Sequence, residues 1–355
     1  MDTRWAGSMA EDGAGPRPFD GPDGPRLVPP GDAGDPPAPP PDRAPWVGLV
    51  ANPNSGIGAG RARVSRLVDA LGSRGLGARV GWTPGDRAEL VRRAGPDSSC
   101  RCLVAVGGDG TVAALLNERP RVPITVLPAG TENLFARHFG MTRQPERVAE
   151  TVASGLALPL DLGEAGGRRF ALMAGIGFDA DVVTRHHLAR LGRAHRVRPT
   201  SRVAYVEPVL RASFEYGFPM LRVRVEDPGP AEELLGAMAF VFNLPSYALG
   251  LPIAPTARED DGLLDLVVFR DRGPFAALHY LWLVFRGLHL KRPGVWHRRV
   301  RGVRISSDGP VPVQLDGDPA GSIDPDAPDP WTSRVLPRAA SVLVPETYAR
   351  SLMAS

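Results

Sequence analysis

The chain has 355 residues, of which 43% are apolar and 6% aromatic, a composition typical of a globular protein large enough for two domains. Its formal net charge is +3, and its longest apolar stretch is shorter than the ~20 residues that a bilayer-spanning helix requires. A single lysine, Lys291, is present, which excludes the Walker phosphate loop and the protein kinases. The N-terminus has no secretory pattern. Cys100 and Cys102 fit neither a redox pair nor a zinc site. We therefore expect a cytoplasmic protein.

The first 45 residues differ in composition from the rest of the chain. They contain twelve prolines and seven glycines and almost no apolar clusters. Such a segment cannot bury enough apolar surface to offset the entropy of ordering it, so we predict a disordered arm over residues 1–45. The remaining chain holds 38 basic and 31 acidic residues, a net charge of about +7.

Residues 46–162 alternate short apolar runs with stretches of helical periodicity. Strands that alternate with helices, with nearly every strand residue apolar, predict a parallel sheet covered on both faces. This part of the chain is therefore predicted to be an α/β domain. The predicted strands are Val47–Asn52, Ala78–Trp82, Cys102–Val106 and Pro123–Leu127, and the predicted helices are Gly60–Arg74, Arg87–Ala94, Thr111–Asn117 and Leu134–Phe139.

Residues 163–335 are predicted to form a second, β-rich domain, because glycine and proline turns separate most of its apolar runs. A helical stretch, Phe275–Leu290, interrupts these strands. Residues 336–350, around the last apolar run Ala340–Val344, are candidates to return to the first domain. The predicted strands of the second domain are Leu221–Glu226, Ala237–Asn243, Leu263–Phe269, Val300–Ser306 and Val311–Leu315.

The strongest chemical signal is the sequence Gly107-Gly-Asp-Gly-Thr111, which joins an apolar strand to a helix. Glycines allow backbone N–H groups to approach phosphate oxygens, and a helix N-terminus favours an anion. A turn with a capping aspartate and threonine would show the same pattern. Two further polar loops, Asn52–Gly56 and Gly130–Asn133, also follow predicted strands, and ligands bind at the carboxyl ends of such strands. The three loops together indicate a nucleotide site.

Six motifs occur in the order NPNSG, GGDGT, PAGTEN, GIGFDADVV, DDGLLDLVVF and LDGDP. This ordered set resembles the diacylglycerol kinase catalytic-domain family, which includes bacterial lipid kinases and sphingosine kinases. The resemblance covers about Trp46 to Val344. It implies a Rossmann-like α/β domain of the NAD-kinase and diacylglycerol-kinase type, a C-terminal β-sandwich domain that binds the lipid, and ATP in the cleft between them.

The resemblance also implies which residues carry the function. Asp261 matches a magnesium-site aspartate, with the Leu263 carbonyl and the Arg258 position nearby. Asp318 stands where the family has a glutamate proposed as proton acceptor, and Asp109 is the next candidate for that role. The nucleotide contacts implied are Asn52, Thr83, Gly107, Gly108, Asp109, Gly110, Thr111 and Thr131.

The predicted chemistry is the transfer of the γ-phosphoryl group of ATP to a lipid hydroxyl, with Mg²⁺ neutralising the phosphate charge. Hairpin turns favour Asp-Gly in any case, so the aspartates of DDGLLD and LDGDP could be turn residues. An enzyme of the NAD-kinase type and a catalytically inactive nucleotide-binding regulator are the two alternatives. The order of the motifs favours the lipid kinase.

The expected partners are ATP, a lipid substrate and the surface of a membrane. Basic residues cluster at Arg185–Arg211 and Lys291–Arg304, and each basic residue near an anionic bilayer contributes about 1 kcal/mol. A solvated, arginine-rich surface is the alternative explanation. Nucleic acid is not expected as a partner, because aromatic residues are not interleaved with this charge. The sequence leaves open whether the protein forms a homodimer.

Deletion of residues 2–44 is expected to leave the thermal unfolding midpoint and the turnover nearly unchanged, because the arm has no core to contribute. Differential scanning calorimetry of the full-length and shortened chains measures this directly. A fall in the midpoint of more than about 5 °C would show that the arm packs against the rest of the protein.

Overall fold

The N-terminal part of the computed structural model is built on four parallel strands. They are β1 (Trp46–Ala51), β2 (Gly77–Gly81), β3 (Cys100–Gly107) and β4 (Ile124–Pro128), and the helices are α1 (Ala59–Gly72), α2 (Pro84–Arg93), α3 (Asp109–Asn117), α4 (Leu134–His138) and α5 (Pro145–Ser154). The strands lie in the order β2-β1-β3-β4. The structure describes residues 44–52, 59–191, 214–226 and 233–353. The predicted arm, apart from its last two residues, and most of the NPNSG loop lie outside these ranges.

Helices cover both faces of this parallel sheet, as the apolar strands predict. Leu67 of α1 and Val148 of α5 share a buried cluster with Val104 of β3. On the opposite face Leu115 of α3 and Phe135 of α4 pack in another cluster that includes alternate residues of the same strand. Successive strand residues point to opposite faces, so a strand buried on both sides has to be apolar throughout.

The C-terminal part is mostly antiparallel. Its elements are β5 (Ala157–Ala165), β6 (Arg168–Phe170), β7 (Met173–Gly177), α6 (Phe178–Leu191), β8 (Leu221–Val225), β9 (Glu233–Gly236), β10 (Met238–Phe242), β11 (Ser246–Tyr247), β12 (Leu251–Pro252), β13 (Leu264–Phe269), α7 (Pro274–Phe285), β14 (Val295–Val300), β15 (Gly302–Ser307), β16 (Val311–Leu315), β17 (Asp318–Ile323), β18 (Trp331–Leu343) and α8 (Glu346–Met353). Short 3-10 turns lie at Ala248–Gly250 and His289–Lys291. None of the helices in the described ranges is long and apolar enough to cross a bilayer.

Two sheets form a sandwich in this part. Six antiparallel strands lie in the order β14-β13-β10-β7-β16-β17, and β8 and β15 belong to the sheet that continues from the parallel strands. Val241 of β10 shares a buried cluster with Val223 and Ile305 of that sheet. Its neighbour Phe240 points to the other face, where it packs with Phe269 beneath α7. The predicted fold class, an α/β domain followed by a β-sandwich, is confirmed.

Two predicted elements are corrected. The predicted strand Val300–Ser306 is largely β15, which pairs with β8 and β18, but its first residue, Val300, ends β14, which pairs with β13. The predicted helix Phe275–Leu290 ends at Phe285. Gly287 adopts a φ of +64°, a left-handed conformation that terminates a helix. A run of apolar residues does not show where the strand starts or where the helix ends, because both boundaries depend on single backbone positions.

Strand β18 joins the parallel and antiparallel parts of one sheet. Its C-terminal end runs parallel to β4, whereas its N-terminal half runs antiparallel to β15, and β5 pairs with it along both halves. The ladder is interrupted between Leu336 and Ala340, where Arg338 adopts a φ of +49°. The buried Asp161 holds this break. Its carboxylate accepts the Arg338 N–H at 2.6 Å and the Gly262 N–H at 2.6 Å.

Asp161→Ala is expected to lower the free energy of unfolding by about 2–4 kcal/mol, because it leaves two backbone donors without their acceptor. Urea unfolding measures the change. The exposed Asp97→Ala is the matched control and should change it by less than about 0.5 kcal/mol. Equal stability of the two variants would show that Asp161 does not hold the break in β18.

Candidate active site

The loops that follow β3 and β4 touch through two glycines. A Cβ atom on Gly108 would lie 3.1 Å from the Gly130 Cα, and one on Gly130 would lie 2.6 Å from the Gly108 Cα. The Ala129 N–H donates to the Gly107 carbonyl at 2.9 Å. Glycine at position 108 is therefore required by the approach of two backbones, in addition to any approach of a phosphate.

Asp109 connects the same two loops through its carboxylate. Oδ2 accepts the Leu134 N–H at 3.0 Å and Oδ1 accepts the Phe135 N–H at 2.9 Å, so the side chain caps the start of α4. Burial raises the pKa of this carboxyl above its ordinary value, the two N–H donors lower it, and the Glu132 carboxylate raises it further. Asp109 has a structural role here whatever else it does.

Thr111 and Gly110 are the residues of the loop whose surroundings suit a ligand. The Thr111 hydroxyl is buried and has no hydrogen-bond partner within the described part of the chain. Gly110 is exposed in the first turn of α3, and a Cβ atom on it would have a single neighbour within 4 Å, the Asp318 Oδ2 at 3.7 Å. An unpartnered hydroxyl and an open glycine at a helix N-terminus fit a phosphate group.

The two aspartates of LDGDP have different environments. Asp316 accepts the N–H groups of Ala171, Leu172 and Met173 at 2.8, 2.8 and 3.0 Å and so fixes the turn before β7. Burial raises the pKa of its carboxyl to about 6, although the three donors lower it, and the Asp109 carboxylate adds to the rise. Asp318, two residues later, is exposed and lies opposite the glycine-rich loop. The structure thus separates a structural aspartate from one that is accessible.

A cavity of about 470 Å³ opens between these loops and extends into the β-rich part. At one end it is lined by Asp109, Asp316 and Gly317. Beyond them the lining is mainly apolar and comes largely from β7, β10, β13, α6 and α7. Its other polar residues are Glu132, Asp179, His186 and Gln314. The apolar residues include Met173, Val182, Met238, Phe240, Phe269, Leu278 and Leu281. The arrangement can hold a hydrocarbon chain whose polar end lies at the carboxylates.

A polar group that was not among the predicted site residues interrupts the apolar wall of the cavity. Asp179 is buried, and its carboxylate accepts the Gln314 amide at 2.9 Å and the Tyr247 hydroxyl. Burial raises the pKa of Asp179. The Gln314 side-chain oxygen also accepts the Gly317 N–H at 2.8 Å, which links this group to the LDGDP turn. Asp179 lies within the motif GIGFDADVV, so a signal was present, but nothing in that sequence showed its partners.

The predicted metal residues lie apart from the cavity. Asp261 forms an ion pair with Arg299 and accepts the Leu263 N–H at 2.9 Å, beside an open pocket of about 650 Å³ that Leu263 also lines. Arg258 is exposed in the same loop. Across the described ranges, no three His, Cys, Asp or Glu side chains are grouped to hold a metal ion. The role of these residues in binding magnesium stays a prediction.

The other predicted nucleotide contacts lie at the ends of the parallel strands. Asn52 follows β1, and its N–H donates to the Val106 carbonyl at 3.2 Å. Thr131 is exposed in the loop after β4. Thr83 is exposed after β2, where its hydroxyl accepts the Asp86 N–H at 3.1 Å and caps α2. The fold brings Asn52, the GGDGT loop and Thr131 to one edge of the sheet, as predicted from the strand ends.

Comparison with known proteins identifies the family. Residues 47–165 match the diacylglycerol kinase catalytic domain, and residues 174–344 match the YegS C-terminal NAD kinase beta sandwich-like domain. The chain belongs to the diacylglycerol kinase catalytic-domain family, a family of ATP-dependent lipid kinases. The resemblance found in the sequence motifs is confirmed.

Particular relatives support the assignment over most of the chain. A diacylglycerol kinase of Mycobacterium tuberculosis is 30% identical over 312 residues, which are 84% of this chain and 95% of that protein. One of Bacillus subtilis is 23% identical and covers 78% of this chain and 90% of its own length. A solved diacylglycerol kinase structure from Bacillus anthracis has a TM-score of 0.62 at 21% identity, with 85% and 98% of the two chains covered, and shows the same fold.

Gly110→Val is expected to weaken ATP binding at least about tenfold without loss of stability, because its side chain would project into the space beside Asp318. Isothermal titration calorimetry measures the affinity. Gly72→Val, at the end of α1, is the matched control, since a Cβ atom there meets nothing within 4 Å. Wild-type affinity in a folded Gly110→Val protein would show that the nucleotide does not bind at this loop.

Proposed function

We propose that this protein transfers the γ-phosphoryl group of ATP to the hydroxyl of a diacylglycerol-like lipid. The observation that carries the proposal is the apolar cavity, which begins at the GGDGT and LDGDP turns and continues into the sandwich. Such a cavity accommodates acyl chains and leaves a polar headgroup at the carboxylates. Its apolar lining gives no support to a dinucleotide as the phosphoryl acceptor.

The nucleotide belongs at the edge of the parallel sheet in this proposal. Backbone N–H groups of Gly107–Thr111 and the N-terminus of α3 stabilise the phosphates, and the Thr111 hydroxyl gains the partner that it lacks among the described residues. Asn52, Thr83 and Thr131 complete the contacts. Residues 46–162 then form the ATP domain, to which residues 336–350 return through β18, and residues 163–335 form the lipid domain.

Asp318 is the group that we assign to the acceptor hydroxyl. It is exposed at the cleft, and its carboxylate faces the first turn of α3. As the hydroxyl oxygen attacks the γ-phosphorus, its proton passes to the carboxylate, and the bond from the phosphorus to the β-phosphate oxygen breaks. Asp109 is the second candidate, but both of its oxygens already accept backbone N–H groups.

Magnesium is proposed to arrive with the triphosphate. Mg²⁺ is commonly held by one or two carboxylates together with substrate phosphates and water, so a preformed cluster of three side chains is not required. Asp261 is the predicted carboxylate of this donor set, and it would exchange its ion pair with Arg299 for the metal. When bound, the metal neutralises the charge that develops on the transferred phosphoryl group.

The lipid substrate implies contact with a membrane surface. A diacylglycerol-like molecule resides in a bilayer, so the mouth of the cavity has to reach one. The predicted basic segment Lys291–Arg304 lies within the described residues, whereas most of Arg185–Arg211 lies outside them. A peripheral association is therefore part of the proposal.

Asp318→Asn is expected to lower kcat by about 10²–10⁴-fold and to leave ATP affinity nearly intact, because an amide keeps the turn but cannot accept the proton. Asp318→Glu is expected to retain activity. Transfer from radiolabelled ATP to a total lipid extract identifies the acceptor, and kcat is then measured on that lipid.

Asp329→Asn is the matched control for this experiment, since Asp329 is an exposed aspartate in the loop between β17 and β18 and does not line the cavity. It should turn over at the wild-type rate. If Asp318→Asn does the same, Asp318 is a turn residue and Asp109 becomes the candidate base. If no lipid in the extract is labelled, the proposed function is wrong.

A further inference from the structure

Helix α7 exposes large apolar side chains to solvent. Phe275 is 78% exposed, Phe285 76% and Trp282 50%, among the largest such values for apolar residues in the described part of the chain. Phe214, itself 65% exposed, lies beside Phe275 with a ring separation of 6.4 Å. Isolated exposed apolar residues are ordinary, but a contiguous aromatic patch marks an interaction surface.

The exposed residues form one stripe along the helix. At 3.6 residues per turn, the exposed positions 275, 281, 282 and 285 and the half-buried position 278 fall within about 120° of the helix surface. The buried residues Ala277, Tyr280, Leu283 and Val284 occupy the opposite side and pack on the sandwich. The helix is therefore apolar on both sides, unlike an ordinary surface helix, whose outward side is polar.

Basic residues flank this stripe. Arg286 lies over the Trp282 ring at 5.8 Å from its centroid. Between residues 270 and 298 Asp271 is the single acidic side chain, and the basic ones are Arg270, Arg272, Arg286, Lys291, Arg292 and Arg298. Apolar and aromatic side chains beside cationic ones are the pattern of a helix that lies in the interface of an anionic bilayer.

The stripe is continuous with the lipid cavity. Leu278 and Leu281 line the cavity, and Leu281 is also 44% exposed, so the cavity wall and the exposed stripe share residues. A lipid that leaves the bilayer at this helix would pass directly between apolar surfaces. A second copy of the chain would bury the same stripe but would also cover the cavity and bring the basic residues of two copies together.

We propose that α7 is the membrane-docking element of this protein, with Phe275, Trp282 and Phe285 inserted among the acyl chains of an anionic lipid surface. The proposal rests on the proposed function, because the purpose of docking is to place the mouth of the cavity at the bilayer. Binding to vesicles does not require phosphoryl transfer, so the two proposals fail separately.

The experiment measures sedimentation of the full-length protein with vesicles of phosphatidylglycerol and phosphatidylcholine, without ATP. The double variant Phe275→Ser/Phe285→Ser should lose about tenfold or more in vesicle partitioning. Leu235→Ser, which removes a side chain 46% exposed on β9, is the matched control and should bind as the wild type does. Arg286→Gln/Lys291→Gln should weaken binding to anionic vesicles more than to pure phosphatidylcholine vesicles.

Measurements of turnover distinguish a loss of membrane docking from damage to the active site. Neither Phe275 nor Phe285 lines the cavity, so the double variant should keep wild-type turnover on a short-chain acceptor dispersed as monomers and lose it on vesicles. Equal vesicle binding by the double variant and the wild type would overturn the proposal. So would a dimer in sedimentation equilibrium that the double variant dissociates. If the protein binds vesicles through α7 but labels no lipid, the docking proposal is supported and the proposed kinase function is contradicted.

Discussion

The pairing of β18 with both β4 and β5 is the constraint on which the rest of the structure depends. It carries one backbone from the antiparallel part into the parallel part, so the two parts share one hydrogen-bonded sheet. Asp161 fixes the irregularity in that sheet through two backbone N–H groups. In this arrangement the GGDGT loop and the LDGDP turn face each other, and Asp318 lies beside Gly110.

Residues of the glycine-rich loop serve the fold and the site at once. Gly108 allows the backbone of Gly130 to approach, and Asp109 caps α4. A side chain that both organises a loop and faces a ligand gives ambiguous results when it is replaced, because activity and stability change together. Gly110 and Asp318 have fewer structural contacts, and they report on the chemistry more directly.

The β-rich part uses an apolar sheet for two purposes. One face of the six-stranded sheet closes the sandwich, and the other lines the cavity beneath α7. Packing on both faces requires β10 to be apolar throughout and β13 to be apolar except at Asp265, so the strands themselves do not show which face borders a ligand. The same ambiguity applies to α7, whose sequence reads as a buried helix although one side is exposed.

The sequence by itself determined the alternation of strands and helices, the loops at the strand ends and the family, since each follows from local periodicity or from motifs in a fixed order. The tertiary structure decided what depends on contacts between distant segments. It separated Asp316, held by three N–H groups 143–145 residues away, from the accessible Asp318. It also joined Asp179 to Tyr247 and Gln314, and paired Asp261 with Arg299. Periodicity records which side of an element is apolar, but only folding determines what that side meets.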